Sequence, residues 1–146
     1  MTGFFTEIEI QADVTTVWQV LADTKSYPSW NPLIYRIEGE LQIGSTPKFY
    51  VNMPFGVKTH FRATILKVLP SRELRWFGRL LGVNFLLTGE HFFILEPTEV
   101  GTRLIHGEKL NGVVSPIFLR ILGGQLYRNY IDFNRALKKH CENMYG

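Results

Sequence analysis

The stretch GEHFFILEPTEVGTRLIHGEKL, residues 89–110, decides the fold because it contains two strand patterns joined by a short turn. Glu90 and Glu96 share one face of the first strand, and Arg103 and Lys109 share one face of the second. An antiparallel register that pairs Glu96 with Arg103 sets opposite charges across the ladder, and the same register places Glu90 beside Lys109. We therefore predict a hairpin whose charged face is the solvent face.

The opposite face of this hairpin carries polar side chains among apolar ones. The predicted register sets His91 against Glu108 and Phe93 against His106. A bulge at Gly101 would shift the pairing by one residue and separate these partners. If the charged faces meet solvent, both histidines and Glu108 point into the protein.

Strand patterns continue outward from the hairpin in the N-terminal direction. The predicted strands after the first helix cover residues 33–41, 46–53, 57–69, 73–79, 85–96 and 102–110. The links between them are short and mostly carry Gly or Pro, which favours antiparallel neighbours. A further strand occupies the first eleven residues. Asp13 then caps a predicted short helix in DVTTVWQVLADT, and KSYPSWNP forms a turn or a second short helix.

A long amphipathic helix follows the hairpin in SPIFLRILGGQLYRNYIDFNRALKKHCENM, residues 115–144. Its apolar residues recur at steps of three and four, as one helix face requires; they are Phe118, Leu122, Leu126, Tyr130, Phe133 and Leu137. These elements predict an α+β fold in which a seven-stranded curved antiparallel sheet wraps around the C-terminal helix. Because one helix cannot fill the concave side of so wide a sheet, we expect a cavity there.

Composition narrows the class of protein. The 146 residues fit a single domain, 1–146, with 45% hydrophobic and 20% charged residues, and 11 phenylalanines suit the lining of a large interior. The 16 basic and 13 acidic residues are mostly scattered, so we predict no nucleic-acid partner. Neither a signal peptide nor a membrane span is indicated, and we expect a cytoplasmic protein. One cysteine excludes an intramolecular disulfide.

Several segments together resemble a known superfamily. They are VWQVLADTKSYPSWNP after the first strand, LRWFGRL, GEHFFILEP, GTRLIHGEKLNG and the terminal helix. Nearly the whole chain resembles the SRPBCC superfamily, which includes START lipid-transfer domains, birch-pollen-allergen-like proteins and polyketide cyclases and dehydrases; small bacterial ligand-binding members are the most similar. The resemblance implies a helix-grip fold with a hydrophobic pocket between the sheet and the last helix. It supplies no catalytic motif.

The predicted ligand-binding residues lie on the hairpin, one neighbouring strand and the long helix. They are His91, His106, Glu108, Phe93, Leu104, Trp76, Leu126, Tyr130 and Phe133. Three interpretations of His91, His106 and Glu108 stay open: the buried groups satisfy one another, they orient a polar group on an apolar ligand, or a histidine acts in acid–base chemistry. Three ligands without a local spacing signature are a weak metal signal, and we predict no metal or cofactor.

Two loops, MPFG at 53–56 and LLGVNFLL at 80–87, are unusually apolar for hairpin tips. One interpretation folds them back over the core. The other makes them a portal for a hydrophobic ligand, in transient contact with a membrane surface or a partner; the portal residues would be Met53, Phe55, Leu80, Leu81 and Val83.

The leading functional hypothesis is a protein without catalytic activity that binds a small hydrophobic or amphipathic, lipid- or polyketide-like molecule between sheet and helix. An alternative is an enzyme of the cyclase, aromatase or dehydrase type in which a histidine or tyrosine shuttles a proton in the same pocket. A third hypothesis is a protein-interaction module similar to related chaperone activators, which would have a filled interior.

Overall fold

The helices and strands follow the predicted order. A computed structural model describes residues 2–79 and 85–144. Its elements are β1 (Thr2–Ile10), α1 (Val14–Ala22), α2 (Tyr27–Trp30), β2 (Ile34–Glu38), β3 (Lys48–Asn52), β4 (Lys58–Arg62), β5 (Thr64–Leu69), β6 (Glu73–Arg79), β7 (Thr88–Pro97), β8 (Thr102–Asn111) and α3 (Ser115–Asn143). The short turns Thr24–Ser26 and Pro54–Gly56 are 3₁₀-helical.

All strand pairs described are antiparallel and fall into two sheets. Five strands follow the order β1-β8-β7-β6-β5, and three follow the order β2-β3-β4. The α+β architecture, with curved antiparallel sheets and a long C-terminal helix, confirms the predicted helix-grip fold. The strand count was wrong, because the described residues form eight strands rather than seven.

The additional strand arises where the predicted strand 57–69 breaks at Ala63. On one side of the break β4 pairs with β3, and on the other side β5 pairs with β6. The amide of Ala63 donates to the Pro47 carbonyl at 3.3 Å, and the amide of Ile65 donates to Ser45 at 2.9 Å. These bonds to the segment before β3 turn the chain from one sheet into the other.

The β7–β8 hairpin has the predicted register. Glu96 lies opposite Arg103, and His91 lies opposite Glu108. Thr98 and Gly101 close the turn with reciprocal backbone hydrogen bonds of 2.9 and 3.3 Å, so no bulge shifts the ladder.

Helix α3 lies against the concave side of the sheets and buries four of the six residues of the predicted apolar stripe, while Phe118 and Leu122 are half-buried. Leu126, Tyr130, Phe133 and Leu137 are buried, and α1 adds further apolar side chains to the same core. Helix α1 begins as predicted, because the Asp13 carboxylate accepts the Thr16 amide at 2.8 Å. Within the described residues, no helix combines the length and the apolar character that crossing a bilayer requires.

Candidate functional site

A cavity of about 470 Å³ lies between the three-stranded sheet, strands β6–β8 and helix α3. Most of its wall is apolar, and Leu33, Val51, Trp76, Phe118 and Leu126 represent the elements that form it. This volume falls within the range of small-molecule sites.

Polar side chains border the cavity at two places. Thr59, His60 and Arg79 are exposed and mark where the cavity opens to solvent. A second group, formed by His91, Glu108 and Tyr130, lies on the inner wall. His91 and Tyr130 are buried, and the Glu108 side chain keeps 18% of its surface accessible. A ligand would therefore meet an apolar body with one enclosed polar end.

Five of the nine residues predicted from the sequence to bind ligand border the cavity: His91, Glu108, Trp76, Leu126 and Tyr130. The other four, His106, Phe93, Leu104 and Phe133, are fully buried and lie outside its lining. Alternation along the strands predicts which side chains point inward. It does not predict which of these side chains border the cavity and which pack against one another in the core.

The predicted portal residues are distributed differently. Met53 borders the cavity, and Phe55 is 78% exposed on the same hairpin without joining the lining. Leu80, Leu81 and Val83 lie outside the described residues.

The inner polar wall continues into a buried chain of hydrogen bonds. Tyr130 Oη lies 2.9 Å from His91 Nδ1, and His91 Nε2 lies 2.7 Å from His106 Nε2. His106 Nδ1 then lies 2.8 Å from Asn134 Oδ1. Asn134 Nδ2 donates to Thr6 Oγ1 at 2.7 Å, and Thr6 Oγ1 donates to the His106 carbonyl at 2.8 Å.

The last contact fixes the direction of the chain. Because a carbonyl can only accept, the Thr6 hydroxyl must donate to it and must accept from the Asn134 amide nitrogen. The Asn134 oxygen then faces His106, so His106 Nδ1 carries a proton.

The same logic extends from His106 to the cavity wall. Neutral His106 accepts at Nε2 from His91 Nε2–H, which leaves His91 Nδ1 to accept the Tyr130 hydroxyl proton. In this arrangement Tyr130, His91 and His106 each donate to the neighbour that lies farther from the cavity, and both imidazoles are neutral.

Burial keeps both imidazoles neutral. It lowers the pKa of His91 to about 3, and it lowers the pKa of His106 well below its ordinary value, with the neighbouring His91 as a second cause. Aromatic rings exclude water from the pair: Trp76 stacks on His91 at 4.7 Å between ring centres, and Phe93 stacks on His106 at 4.4 Å. Because the two Nε2 atoms bond to each other, the imidazoles do not form an open cation site.

Glu108 stands at the cavity end of this chain. Its Oε1 lies 3.6 Å from His91 Nδ1, too far for a hydrogen bond, so the two residues do not satisfy each other directly. Burial raises the pKa of Glu108 to about 7. Since the Tyr130 proton is committed to His91, the proton of the neutral Glu108 carboxyl can be donated to a group in the cavity.

Gly89 makes room for this carboxyl group. A Cβ at position 89 would lie 3.2 Å from Glu108 Oε1, which is tighter than nine in ten Cβ contacts in proteins. The glycine therefore leaves space on the cavity wall for the Glu108 side chain.

Sequence reasoning missed Thr6 and Asn134, which anchor the hydrogen-bond chain. A signal existed for each: Asn134 lies four residues after Tyr130 on the apolar stripe of α3, and Thr6 shares a strand face with Ile8 and Ile10. Their contact joins residues 128 positions apart, which no local pattern encodes.

Solved structures with the same fold share little sequence with this chain. Protein MLL2253 from Mesorhizobium loti superposes with a TM-score of 0.77 at 19% identity, covering 99% of both chains. The di-domain ARO/CYC StfQ from the steffimycin biosynthetic pathway gives 0.75 at 17% identity, covering 97% of this chain and 51% of StfQ. Ara h 8.0201 gives 0.74 at 11% identity, covering 97% and 98%.

No curated protein matches the sequence. One family model does, and it extends over residues 1–142, almost the full length. The predicted relationship to the SRPBCC superfamily is confirmed: the chain belongs to the polyketide cyclase / dehydrase and lipid transport family.

Proposed function

We propose that this protein binds a small apolar or amphipathic molecule in the cavity and holds one polar group of that molecule at Glu108. The observation that carries this proposal is the cavity of about 470 Å³, which is apolar along its length and polar at its inner wall. A few placed polar groups within an apolar pocket commonly orient a ligand. An open interior does not suit the alternative of a protein-interaction module with a filled core.

The electrostatics of the inner wall favour an uncharged ligand group. Burial raises the pKa of Glu108 to about 7, and both imidazoles are neutral. The protonated carboxyl can donate to a carbonyl oxygen, and its other oxygen can accept from a hydroxyl. We therefore propose a neutral carbonyl or hydroxyl as the group bound there, in keeping with lipid-like or polyketide-like molecules.

A matched pair of ligands tests the proposal. Binding of 2-acetylnaphthalene and of 2-ethylnaphthalene would be measured by calorimetry at pH 6, where most Glu108 is protonated. The two molecules have similar shapes, but only the first has a carbonyl oxygen. We expect both to bind and the ketone to bind about fivefold more tightly, as one additional net hydrogen bond provides.

Matched variants assign that preference to Glu108. Glu108→Leu should bind both naphthalenes equally, whereas Glu96→Leu, on the exposed end of the same hairpin, should keep the preference. Failure of either compound to bind would contradict cavity binding. Binding without a preference in the unaltered protein would contradict the role of Glu108.

One observation favours an enzyme as the second candidate. Glu108, with a pKa of about 7 beside Tyr130, is suited to donate and recover a proton at neutral pH. Protonation of a ligand carbonyl by Glu108, with loss of a proton from the adjacent carbon to water, would form an enol. That step begins many reactions of ketones.

Deuterium uptake tests the second candidate. In D₂O, enolisation would exchange the methyl hydrogens of bound 2-acetylnaphthalene, and NMR would detect the exchange. The enzyme candidate requires exchange above the background rate that is lost in Glu108→Gln while the ketone still binds. Exchange no faster than in buffer would leave binding without catalysis as the function.

A further inference from the structure

Exposed apolar side chains lie on the segments that also supply residues to the cavity wall. We define the apolar rim as Phe55, Phe61, Phe85, Val113, Ile117 and Ile121, all of which are exposed. Phe61 itself borders the cavity, and Ile117 immediately precedes Phe118, which also borders it. The amide of Val113 donates to the Phe85 carbonyl at 2.8 Å, which joins the loop before β7 to the start of α3.

Five of the six rim residues, all except Phe85, lie on two segments in which the only charged side chains are basic. Residues 52–63 and 112–131 carry four of the 16 basic residues, Lys58, Arg62, Arg120 and Arg128, and none of the 13 acidic ones. The rest of the chain then has 12 basic and 13 acidic residues. The two segments therefore carry four positive charges, with Asp132, which lies near Phe55, as the acidic residue that directly follows them.

The cations on these segments are available to a partner. The acidic side chains that form ion pairs in the described structure pair with other residues, among them Arg75 with Glu90 and Arg103 with Glu7. Lys58 and Arg120 have no carboxylate within ion-pair distance among the described residues. Arg79, on the lining near the opening, has none either within the same residues.

Exposed apolar groups interspersed with arginine and lysine suit the interface of an anionic lipid bilayer. Apolar side chains enter the boundary between headgroups and acyl chains, and each basic residue near the surface adds attraction to anionic headgroups. A soluble acidic protein could pair with these cations. Its binding would not explain the exposed aromatic and aliphatic side chains beside a ligand cavity.

We propose that the apolar rim docks the protein on an anionic membrane surface, with the cavity opening facing the bilayer. An apolar molecule could then pass between the bilayer and the cavity without crossing water. This inference extends the proposed function, but the docking can be tested without any ligand.

Vesicle sedimentation tests the docking. The purified protein would be mixed with vesicles of phosphatidylcholine alone or of phosphatidylcholine with phosphatidylglycerol, and the bound fraction measured at low and high salt. We expect binding to the anionic vesicles that weakens as salt rises, and much weaker binding to the neutral ones. No binding to anionic vesicles at low salt would overturn the proposal.

Variants locate the docking face. Ile121→Asp should lower the partition coefficient about tenfold or more, because it removes an inserted side chain and adds a negative charge. Arg120→Gln should lower it about fivefold. Ile43→Asp is the matched control, since Ile43 and Ile121 are both 66% exposed and Ile43 lies outside the rim.

Two outcomes would overturn the assignment of the rim: an equal loss in Ile43→Asp, or a dimer in solution that Ile121→Asp dissociates, which would make the rim a contact between two copies. Binding of 2-acetylnaphthalene by Ile121→Asp separates the two proposals. If the variant binds the ketone normally but loses the vesicles, docking and ligand binding are distinct, and failure of one leaves the other standing.

Discussion

At the scale of single residues, the hydroxyl of Thr6 determines the proton positions of four other side chains. It must donate to the His106 carbonyl, and this requirement passes through Asn134, His106 and His91 to Tyr130. The Thr6 hydroxyl does not border the cavity, yet it determines that the Tyr130 hydroxyl on the cavity wall donates to His91.

Thr6→Val tests this dependence, because valine keeps the shape of threonine and removes the hydroxyl. The Asn134 amide would lose its buried acceptor, and we expect the free energy of unfolding to fall by about 1–3 kcal/mol. Thr6→Ser keeps the hydroxyl and should retain the hydrogen bonds. Chemical denaturation measures both changes.

NMR of the imidazole nitrogens supplies a second measurement for the same chain. In the unaltered protein His106 should carry its proton on Nδ1, and His91 should carry its proton on Nε2. Observation of the opposite tautomers would contradict the derived direction.

Glu108→Gln should change the pH dependence of stability. The folded-state pKa of Glu108, about 7, lies above its ordinary value of 4.5, so the unfolded chain releases this proton first as pH rises. The native group therefore costs stability progressively from about pH 4.5 to pH 7, whereas glutamine does not titrate. Relative to the unaltered protein, Glu108→Gln should gain about 2 kcal/mol between pH 5 and pH 8.

Melting temperatures of both proteins across this range check the expectation. Glu96→Gln is the control, because Glu96 is exposed. A difference between Glu108→Gln and the unaltered protein that stays constant from pH 5 to pH 8 would show that the carboxyl group is not held in its neutral form.

At the scale of elements, sequence patterns succeeded where the determining contacts are local. Opposite charges at Glu96 and Arg103 predicted the β7–β8 register correctly. The break between β4 and β5 had no such signal, because residues 57–69 contain neither glycine nor proline. The bonds that bend the chain at Ala63 come from Pro47 and Ser45.

The close contact between strands β1 and β8 at Gly107 leads to a prediction about stability. A Cβ at Gly107 would lie 2.4 Å from the Phe4 carbonyl oxygen, which is backbone and cannot move aside easily. Gly107→Ala should therefore reduce the free energy of unfolding by about 2 kcal/mol or more. At Gly78, by contrast, the nearest atoms are Phe61 ring carbons at 3.7 Å.

Gly78→Ala is thus the matched control, since it adds the same methyl group to another strand of the same sheet. We expect it to change stability little in thermal denaturation. Equal losses in the two variants would mean that loss of strand glycine, rather than the close contact at Gly107, causes the effect.

At the scale of the whole molecule, the cavity was expected from the sequence because one long helix cannot fill the concave side of a wide curved sheet. The side chains that border it could be predicted only in part. His91, Glu108 and Tyr130 share inward-facing patterns with Phe93, His106 and Phe133. Which of these border open space depends on packing among elements distant in sequence.

A pair of valines distinguishes open space from packed core. Val51 borders the cavity and Val20 packs in the core on α1, and both are 5% exposed. Val51→Phe should lower the affinity for 2-ethylnaphthalene with little loss of stability, because the cavity accepts the added ring. Val20→Phe should cost about 1–3 kcal/mol of stability through overpacking.

Calorimetric binding and thermal denaturation of both variants provide the measurements. Severe destabilisation of Val51→Phe, equal to that of Val20→Phe, would mean that the space beside Val51 is already filled.

The division of the strands at Ala63 gives the two ends of a guest molecule different surroundings. The five-stranded sheet holds Glu108 and the histidines in continuous ladders, while the three-stranded sheet supplies Val51 and the outer wall. A change in the angle between the two sheets would widen the apolar part of the cavity without moving the Glu108 carboxyl group. We therefore expect strict discrimination of the functional group on a guest, together with broad tolerance of the size and branching of its carbon skeleton.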